Sequence, residues 1–260
     1  MNEILSEYKY DENFTPSVPM REFKYHTIEK NERYPVYPYR TIIGKLLFLV
    51  NNTRLDIAFA VGYLARHQIN PQPIHHKLIS HLLSYLACHR NLGLLYCRAS
   101  KKKSNPIELY ADADFASESN RRSTTGYLLR YYNSTIHWTS RLQSNIAESS
   151  AEAELCSLTT GAHDALFVIR LQEDLLNISE KPFTGYEDNT ATYNNCVALA
   201  SPTRLKHVET EFFKSQEYVR RGLMELKLVG TSQQLADILT KPVPPISFTP
   251  MCNQLMFEKD

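Results

Sequence analysis

Polar and apolar residues alternate along IELYADADF, residues 107–115. A two-residue period of this kind predicts a β-strand with one buried face, and Asp112 falls on the face opposite to the apolar residues. Four further short apolar runs are bounded by turn residues and predict strands as well. The five predicted strands cover residues 107–116, 124–132, 134–139, 183–187 and 224–229.

A long amphipathic helix is predicted to begin after Ser149, which forms a capping box with Glu152. Apolar residues then recur at helical spacing as far as Ile169. Glu154 lies about 60° from the middle of this apolar stripe, and Glu152 lies about 100° away on the other side. We therefore expect Glu154 to face the fold and Glu152 to cap the helix.

The remaining pattern places helices between and before the strands. Helices predicted over residues 206–221 and 233–240 complete an α/β fold, a mixed five-stranded sheet flanked by helices. Upstream, IIGKLLFLV and DIAFAVGYLAR carry apolar residues at three- and four-residue spacing, which predicts a helical hairpin. The basic segment SKKKSNP, residues 100–106, has the composition of a tether between the two regions.

Four acidic residues each fall where a predicted element begins or ends: Asp112, Glu154, Asp188 and Asp237. A single acid in such a place is more often a solvated charge or a helix cap. Strand ends and helix starts can nevertheless gather carboxylates into one cluster. Clustered carboxylates repel one another unless cations lie between them, and hard oxygen ligands favour Mg²⁺ or Mn²⁺. The sequence therefore predicts a metal centre at these four acids.

The charge and composition of the chain limit the kinds of partner that it can bind. The 260 residues carry a net charge of only +1, so nucleic acid has to be bound through local basic clusters. One such cluster is the turn formed by Arg121, Arg122, Ser123 and Thr124, which suits phosphates, although a solvated hairpin explains it equally well. The five scattered cysteines favour a reducing compartment, and no apolar run is long enough to span a bilayer. We expect no membrane contact and no secretory signal peptide.

Six motifs occur in a fixed order: YADADFA, NRRSTTGY, WTSRLQSNIAESSAEAE, EDN, RLKHVE and LADILTKP. In these the chain resembles the ribonuclease H segment at the end of the Pol polyprotein of copia-type LTR retrotransposons. YRTIIGKLLFL and TRLDIAFAVGYLARH resemble the thumb and connection of that family's reverse transcriptase. The polymerase motif, an aromatic residue, a variable residue and two aspartates, is absent from the sequence, so we expect no DNA synthesis.

The resemblance implies a ribonuclease H-like fold with Asp112, Glu154, Asp188 and Asp237 as catalytic tetrad and two Mg²⁺ (or Mn²⁺) ions. It implies that Asp112 bridges both ions, that Asp237 completes the ion activating water, and that Glu154 and Asp188 hold the other. It makes His207 an accessory site residue, although a capping or packing histidine fits somewhat better. The implied partners are an RNA–DNA hybrid and the remaining reverse transcriptase domains.

We therefore expect a truncated Pol fragment that hydrolyses, endonucleolytically, the RNA strand of RNA–DNA hybrids. The alternative is an inactive remnant that keeps the fold and at most binds nucleic acid or a polymerase. A DDE integrase shares the sheet, but its glutamate comes last rather than second. The expected locations are the cytoplasm, in virus-like particles, and the nucleus. The predicted division is a flexible lead (1–34), a helical thumb/connection-like region (35–99), a tether (100–106), a ribonuclease H-like domain (107–242) and a tail (243–260).

Overall fold

The computed structural model describes residues 1–21, 34–96, 106–117, 120–177, 182–198 and 209–258, the side chains of residues 209–213 excepted. His207 and most of the predicted tether lie outside these ranges. The chain forms two compact units. The helical unit comprises Met1–Leu94 with Pro242–Asp260, and the sheet unit comprises Leu95–Lys241.

The helical unit is built from short helices and one two-stranded ladder. The predicted hairpin is present as helices Tyr39–Asn52 and Ala58–Ala65, and the next amphipathic stretch is also helical. Leu92–Gly93 pairs antiparallel with Phe257–Glu258. The remaining elements are the helices Asn2–Glu7, Pro73–Cys88 and Pro245–Leu255 and the 3-10 turn Leu55–Ile57.

A buried ion pair lies inside the helical unit. The side chain of Arg54 is 2% exposed, and its Nη2 lies 2.7 Å from Oδ2 of Asp56. Tyr85 donates its hydroxyl to the same oxygen at 3.0 Å. The pairing explains how a guanidinium tolerates this burial, since a buried charge without partners is costly.

Both ends of the helical unit differ from the predicted division. The expected lead contains the helix Asn2–Glu7, and Ile4, Val18 and Met20 are buried. The expected tail contains a helix that buries Phe248 and Met251. Scattered apolar residues without a long period gave no signal of these contacts, which depend on packing against distant segments.

The sheet unit contains every element that carries a predicted acid. In chain order these are β1 (Ile107–Asp114), β2 (Thr124–Tyr131), β3 (Ser134–Leu142), α1 (Ser150–Leu176), β4 (Phe183–Glu187), α2 (Thr190–Val197), α3 (Glu209–Arg220), β5 (Met224–Leu228) and the 3-10 helices Thr231–Gln233 and Leu235–Leu239. Of these elements, α2 was not predicted from the sequence.

The five strands form one mixed sheet in the order β3-β2-β1-β4-β5. β1 and β2 are antiparallel, as are β2 and β3, whereas β1 pairs parallel with β4 and β4 with β5. The predicted α/β class and mixed five-stranded sheet are therefore confirmed. The parallel pairs matter for function because they bring the end of β4 close to the end of β1.

The core of the sheet unit lies between the sheet and α1. Apolar residues of β1 and β4 meet the stripe predicted for the long helix. Gly161 lets α1 approach closely, since a Cβ there would lie 2.5 Å from Cδ1 of Leu109. Across the described residues of both units, no helix has the length and hydropathy of a membrane span.

Candidate metal centre

Asp112 lies in the central strand β1 and is 2% exposed. Its backbone is fixed by α1, because the Ser157 hydroxyl donates to the carbonyls of Asp112 at 2.8 Å and of Gly126 at 2.9 Å. Strand pairing on both sides of β1 adds to this rigidity. The Asp112 carboxylate therefore has a well-defined position in the middle of the sheet.

Glu154 comes from the first turn of α1. The Ser149 hydroxyl accepts the Glu152 N–H at 3.2 Å, and a Glu152 carboxylate oxygen accepts the Glu148 N–H at 2.6 Å. Glu152 thus caps the helix start as expected, although it accepts the N–H of Glu148 and not that of the N-cap residue Ser149. Glu154, by contrast, is only 6% exposed and faces the fold.

Asp188 follows the last residue of β4 and is half-buried. Asn189 caps α2, accepting the N–H groups of Ala191 and Thr192, and this cap ends the strand beside Asp188. The neighbouring Glu187 is fully buried, with one carboxylate oxygen accepting the Asn189 N–H at 3.0 Å. Sequence reasoning gave Glu187 no role.

Asp237 lies in the 3-10 helix Leu235–Leu239, which packs over the sheet. Gln234 anchors this helix, since its side-chain amide donates to the Ala111 carbonyl at 2.8 Å. The Thr240 hydroxyl hydrogen-bonds Oδ2 of Asp112. Lys241 completes the contact, with its Nζ 2.9 Å from Oδ1 of Asp237 and 3.5 Å from Oδ2 of Asp112.

Three of the four predicted acids meet closely in space. One carboxylate oxygen each of Asp112, Glu154 and Asp188 lies within 4.8 Å of the other two. Oε2 of Glu154 is buried and has no hydrogen-bond partner in the part of the chain that the structure describes. Oxygen ligands at this spacing, one of them buried without a partner, suit a hard divalent cation. Asp237 is joined to this triad through Lys241 rather than belonging to it.

The pKa values of several of these acids are raised, as expected for carboxyl groups that are buried close together. Burial, followed by the charge of Asp112, raises the pKa of Glu154 well above its ordinary value and raises the pKa of Asp188 as well. Burial and the Asp112 charge raise the pKa of Asp237 to about 7, against the opposing effect of Lys241. Burial raises the pKa of Glu187 to about 8. In the absence of bound cations, these raised pKa values favour the protonated forms of the crowded carboxyl groups.

Gly126 makes this arrangement possible. It pairs with Asp112 across the β1–β2 ladder, and the 3-10 helix passes directly above it. A Cβ at Gly126 would collide with the Thr240 methyl and lie 2.9 Å from Cβ of Leu239. A strand glycine often marks such a close approach of another segment. This glycine, in the NRRSTTGY motif, is the signal that sequence reasoning missed.

A Gly126→Ala variant is expected to lose about 1–3 kcal/mol of stability, because overpacking forces Thr240 and Leu239 away from β2. The displacement also draws the Thr240 hydroxyl away from Oδ2 of Asp112, the contact that orients this carboxylate, so divalent-cation affinity is expected to fall. Denaturant unfolding and calorimetric Mn²⁺ titration measure the two effects. Gly93→Ala is the matched control, since a Cβ on this strand glycine meets nothing within 4 Å. Equal behaviour of both variants contradicts the packing argument.

The predicted phosphate-binding turn is divided. Arg121 is exposed and Arg122 is half-buried at the start of β2. Ser123 and Thr124 are fully buried, and the Ser123 hydroxyl accepts the Ala116 N–H at 3.1 Å. The two arginine side chains are therefore accessible to solvent, whereas the two hydroxyl residues are part of the packed fold. The predicted role of His207 concerns a residue outside the described ranges.

Curated relatives match most of the chain. The Pol polyprotein of the tobacco transposon TNT 1-94 is 30% identical over 232 residues, which is 88% of this chain and 17% of that protein. The Pol polyprotein of the Arabidopsis thaliana transposon RE1 is 32% identical over 213 residues, covering 81% of this chain and 14% of that protein. The chain thus spans less than a fifth of the length of these two relatives.

A relative with a different name and a solved structure each match about half of the chain. Secreted RxLR effector protein 161 of Plasmopara viticola is 34% identical over 132 residues, 50% of this chain and 91% of that protein. The structure of LC11-RNase H1, isolated from compost, covers 52% of this chain and 93% of its own, with 14% identity and a TM-score of 0.42. No family model matches the chain.

The sequence similarity to the two Pol polyproteins extends over both units. The mixed five-stranded sheet of the sheet unit agrees with the α/β class expected from the sequence. Similarity to the tobacco and Arabidopsis proteins covers four fifths or more of the chain. Over most of its length, therefore, the chain is homologous to a part of the Pol polyproteins of copia-type retrotransposons.

Proposed function

We propose that the sheet unit hydrolyses the RNA strand of RNA–DNA hybrids in a reaction that depends on Mg²⁺ or Mn²⁺. The observation that carries this proposal is the approach of Asp112, Glu154 and Asp188 to within 4.8 Å. Homology to the Pol polyproteins supports it, and so does the Glu154 oxygen that has no hydrogen-bond partner among the described residues. The resemblance implies two ions, whereas the described residues contain one close set of three carboxylates.

Divalent cations bound there would activate water and stabilise the leaving 3′ oxygen. The residues of the chain have a positioning role: Asp112 and Glu154 are nearly inaccessible, so their oxygens are held before any ligand arrives. Such preorganisation avoids reorganisation cost during the reaction. Thr240 and Lys241 orient the Asp112 carboxylate through its Oδ2.

The substrate would be held through its phosphates. Arg121 and Arg122 precede β2 at the end of the sheet that carries Asp112. They lie five and four residues before Gly126, which pairs with Asp112 across the β1–β2 ladder. At about 3.3 Å per strand residue this separation is roughly 13–17 Å, which suits contacts to phosphates a few nucleotides from the reacting one. An A-form-like duplex is read by shape and 2′-hydroxyls, so we expect little sequence preference.

Cleavage of a labelled RNA–DNA hybrid by the full chain tests the proposal. We expect cleavage of the RNA strand with Mg²⁺ or Mn²⁺, none with EDTA, and none of duplex DNA. Circular dichroism shows that the protein assayed is folded. A folded protein that leaves the hybrid intact in both metals contradicts the nuclease and favours the inactive remnant, whose retained hybrid binding a gel-shift assay would detect.

A further inference from the structure

Lys241 lies beside two acids of the candidate metal centre, and the predicted catalytic tetrad gives this lysine no role. Its ammonium lies between Asp237, at 2.9 Å, and Asp112, at 3.5 Å. These acids are deeply buried, with side-chain exposures of 6% and 3%, while Lys241 retains 35%. They are also the two acids that the resemblance assigns to the second, water-activating ion.

The position of the lysine is built into the backbone. Lys241 follows Asp237 by four residues, and its N–H donates to the Asp237 carbonyl at 3.3 Å. The Thr240 hydroxyl ties the same segment to Oδ2 of Asp112 and to the Asp237 carbonyl, the latter at 3.1 Å. The contact therefore does not depend on a flexible side chain alone.

An ammonium and a divalent ion compete for this position. Both need the facing oxygens of Asp112 and Asp237, and two cations only a few ångströms apart repel strongly at low dielectric. With Lys241 in place, Asp112 is left to share one divalent ion with Glu154 and Asp188. The ammonium supplies one positive charge where a metal would supply two.

We propose that Lys241 is a built-in cation that fills the second metal position, so that the resting chain binds one divalent ion tightly and admits a second only when Lys241 is displaced. This inference rests on the metal-dependent function proposed above. Lys241 is thus a positioning residue that sets the number of metal ions. An ordinary ion pair would stabilise the fold without changing that number.

Calorimetric titration of the full-length wild-type chain with Mn²⁺ tests the inference. We expect one tight site in the wild type. In Lys241→Gln we expect two sites, the second at least about tenfold tighter than any weak second site of the wild type. Lys227→Gln is the matched control, because it removes the same charge from an exposed ion pair with Glu225 at 3.3 Å, and it is expected to behave as wild type.

Each outcome decides the question. Two sites of similar affinity in the wild type, or an unchanged isotherm in Lys241→Gln, overturn the inference. Should Lys241→Gln fold only with Mn²⁺, the gain of metal dependence supports it, and if that variant does not fold at all, the wild-type stoichiometry decides. One tight site together with no hybrid cleavage counts against the nuclease alone, whereas an active enzyme with two equal sites counts against the lysine role alone.

Discussion

An Asp112→Asn variant is expected to cleave RNA–DNA hybrids about a thousandfold more slowly than the wild type, or not measurably. Asp112 is the acid on which the other groups converge. It belongs to the triad with Glu154 and Asp188, and its Oδ2 meets Thr240 and Lys241. Loss of its charge removes a proposed metal ligand and one of the two carboxylate partners of Lys241 together. Initial rates of hybrid cleavage at saturating Mg²⁺ measure the effect.

The same substitution is expected to leave the metal-free fold intact or more stable. The Asp112 charge contributes to the raised pKa values of Glu154, Asp188 and Asp237, so its removal relieves repulsion. Asp174→Asn, on the exposed surface of α1, is the control for loss of one carboxylate and is expected to retain full activity. Cleavage by Asp112→Asn within tenfold of the wild type would refute its central place.

Without divalent ions, the sheet unit is expected to lose stability as the pH rises from 6.5 to 9. The folded protein holds protons on Asp237, whose pKa is about 7, and on Glu187, whose pKa is about 8, while the unfolded chain has released them. The state that binds more protons is favoured at low pH, so stability falls as the pH passes these values. The expected fall is on the order of a few kcal/mol.

The choice of this pH range separates the acids from the histidines. Burial lowers the pKa of His75 to about 4 and lowers those of His76 and His81, so these groups make stability rise with pH only below their unfolded value of about 6.5. Trp138, the one tryptophan of the chain, lies in β3 and reports unfolding of the sheet unit by fluorescence. The free energy of urea unfolding is measured once with EDTA and once with saturating Mg²⁺. Saturating Mg²⁺ should remove most of its pH dependence. Stability that rises with pH in EDTA contradicts the crowded-acid description.

Local patterns were sufficient to predict the elements that carry the acids. The alternation around Asp112 predicted β1, and the capping box at Ser149 predicted the start of α1. The apolar stripe of that helix predicted the inward direction of Glu154. Each of these signals involves residues that are close together in the chain, so neighbouring residues alone determine the hydrophobic period and the capping hydrogen bonds. α2 was missed because its eight residues, with few apolar positions, give no clear stripe.

Contacts between distant segments were beyond the sequence pattern. Lys241 stands four residues after Asp237, a visible pairing, but its second partner, Asp112, is 129 residues away. Gly126 signals a close approach without saying which segment approaches. Ser123 and Thr124 looked like phosphate ligands by residue type, and only the fold shows that they are buried. Burial and long-range approach are properties of the assembled sheet.

Anomalous diffraction at the manganese edge, from crystals of the full chain grown with Mn²⁺, tests the metal centre most directly. We expect a peak among the carboxylates of Asp112, Glu154 and Asp188, at about 2.0–2.3 Å from their oxygens. Well-ordered carboxylates with no peak between them, or manganese bound only elsewhere, would contradict the assignment of these acids as metal ligands.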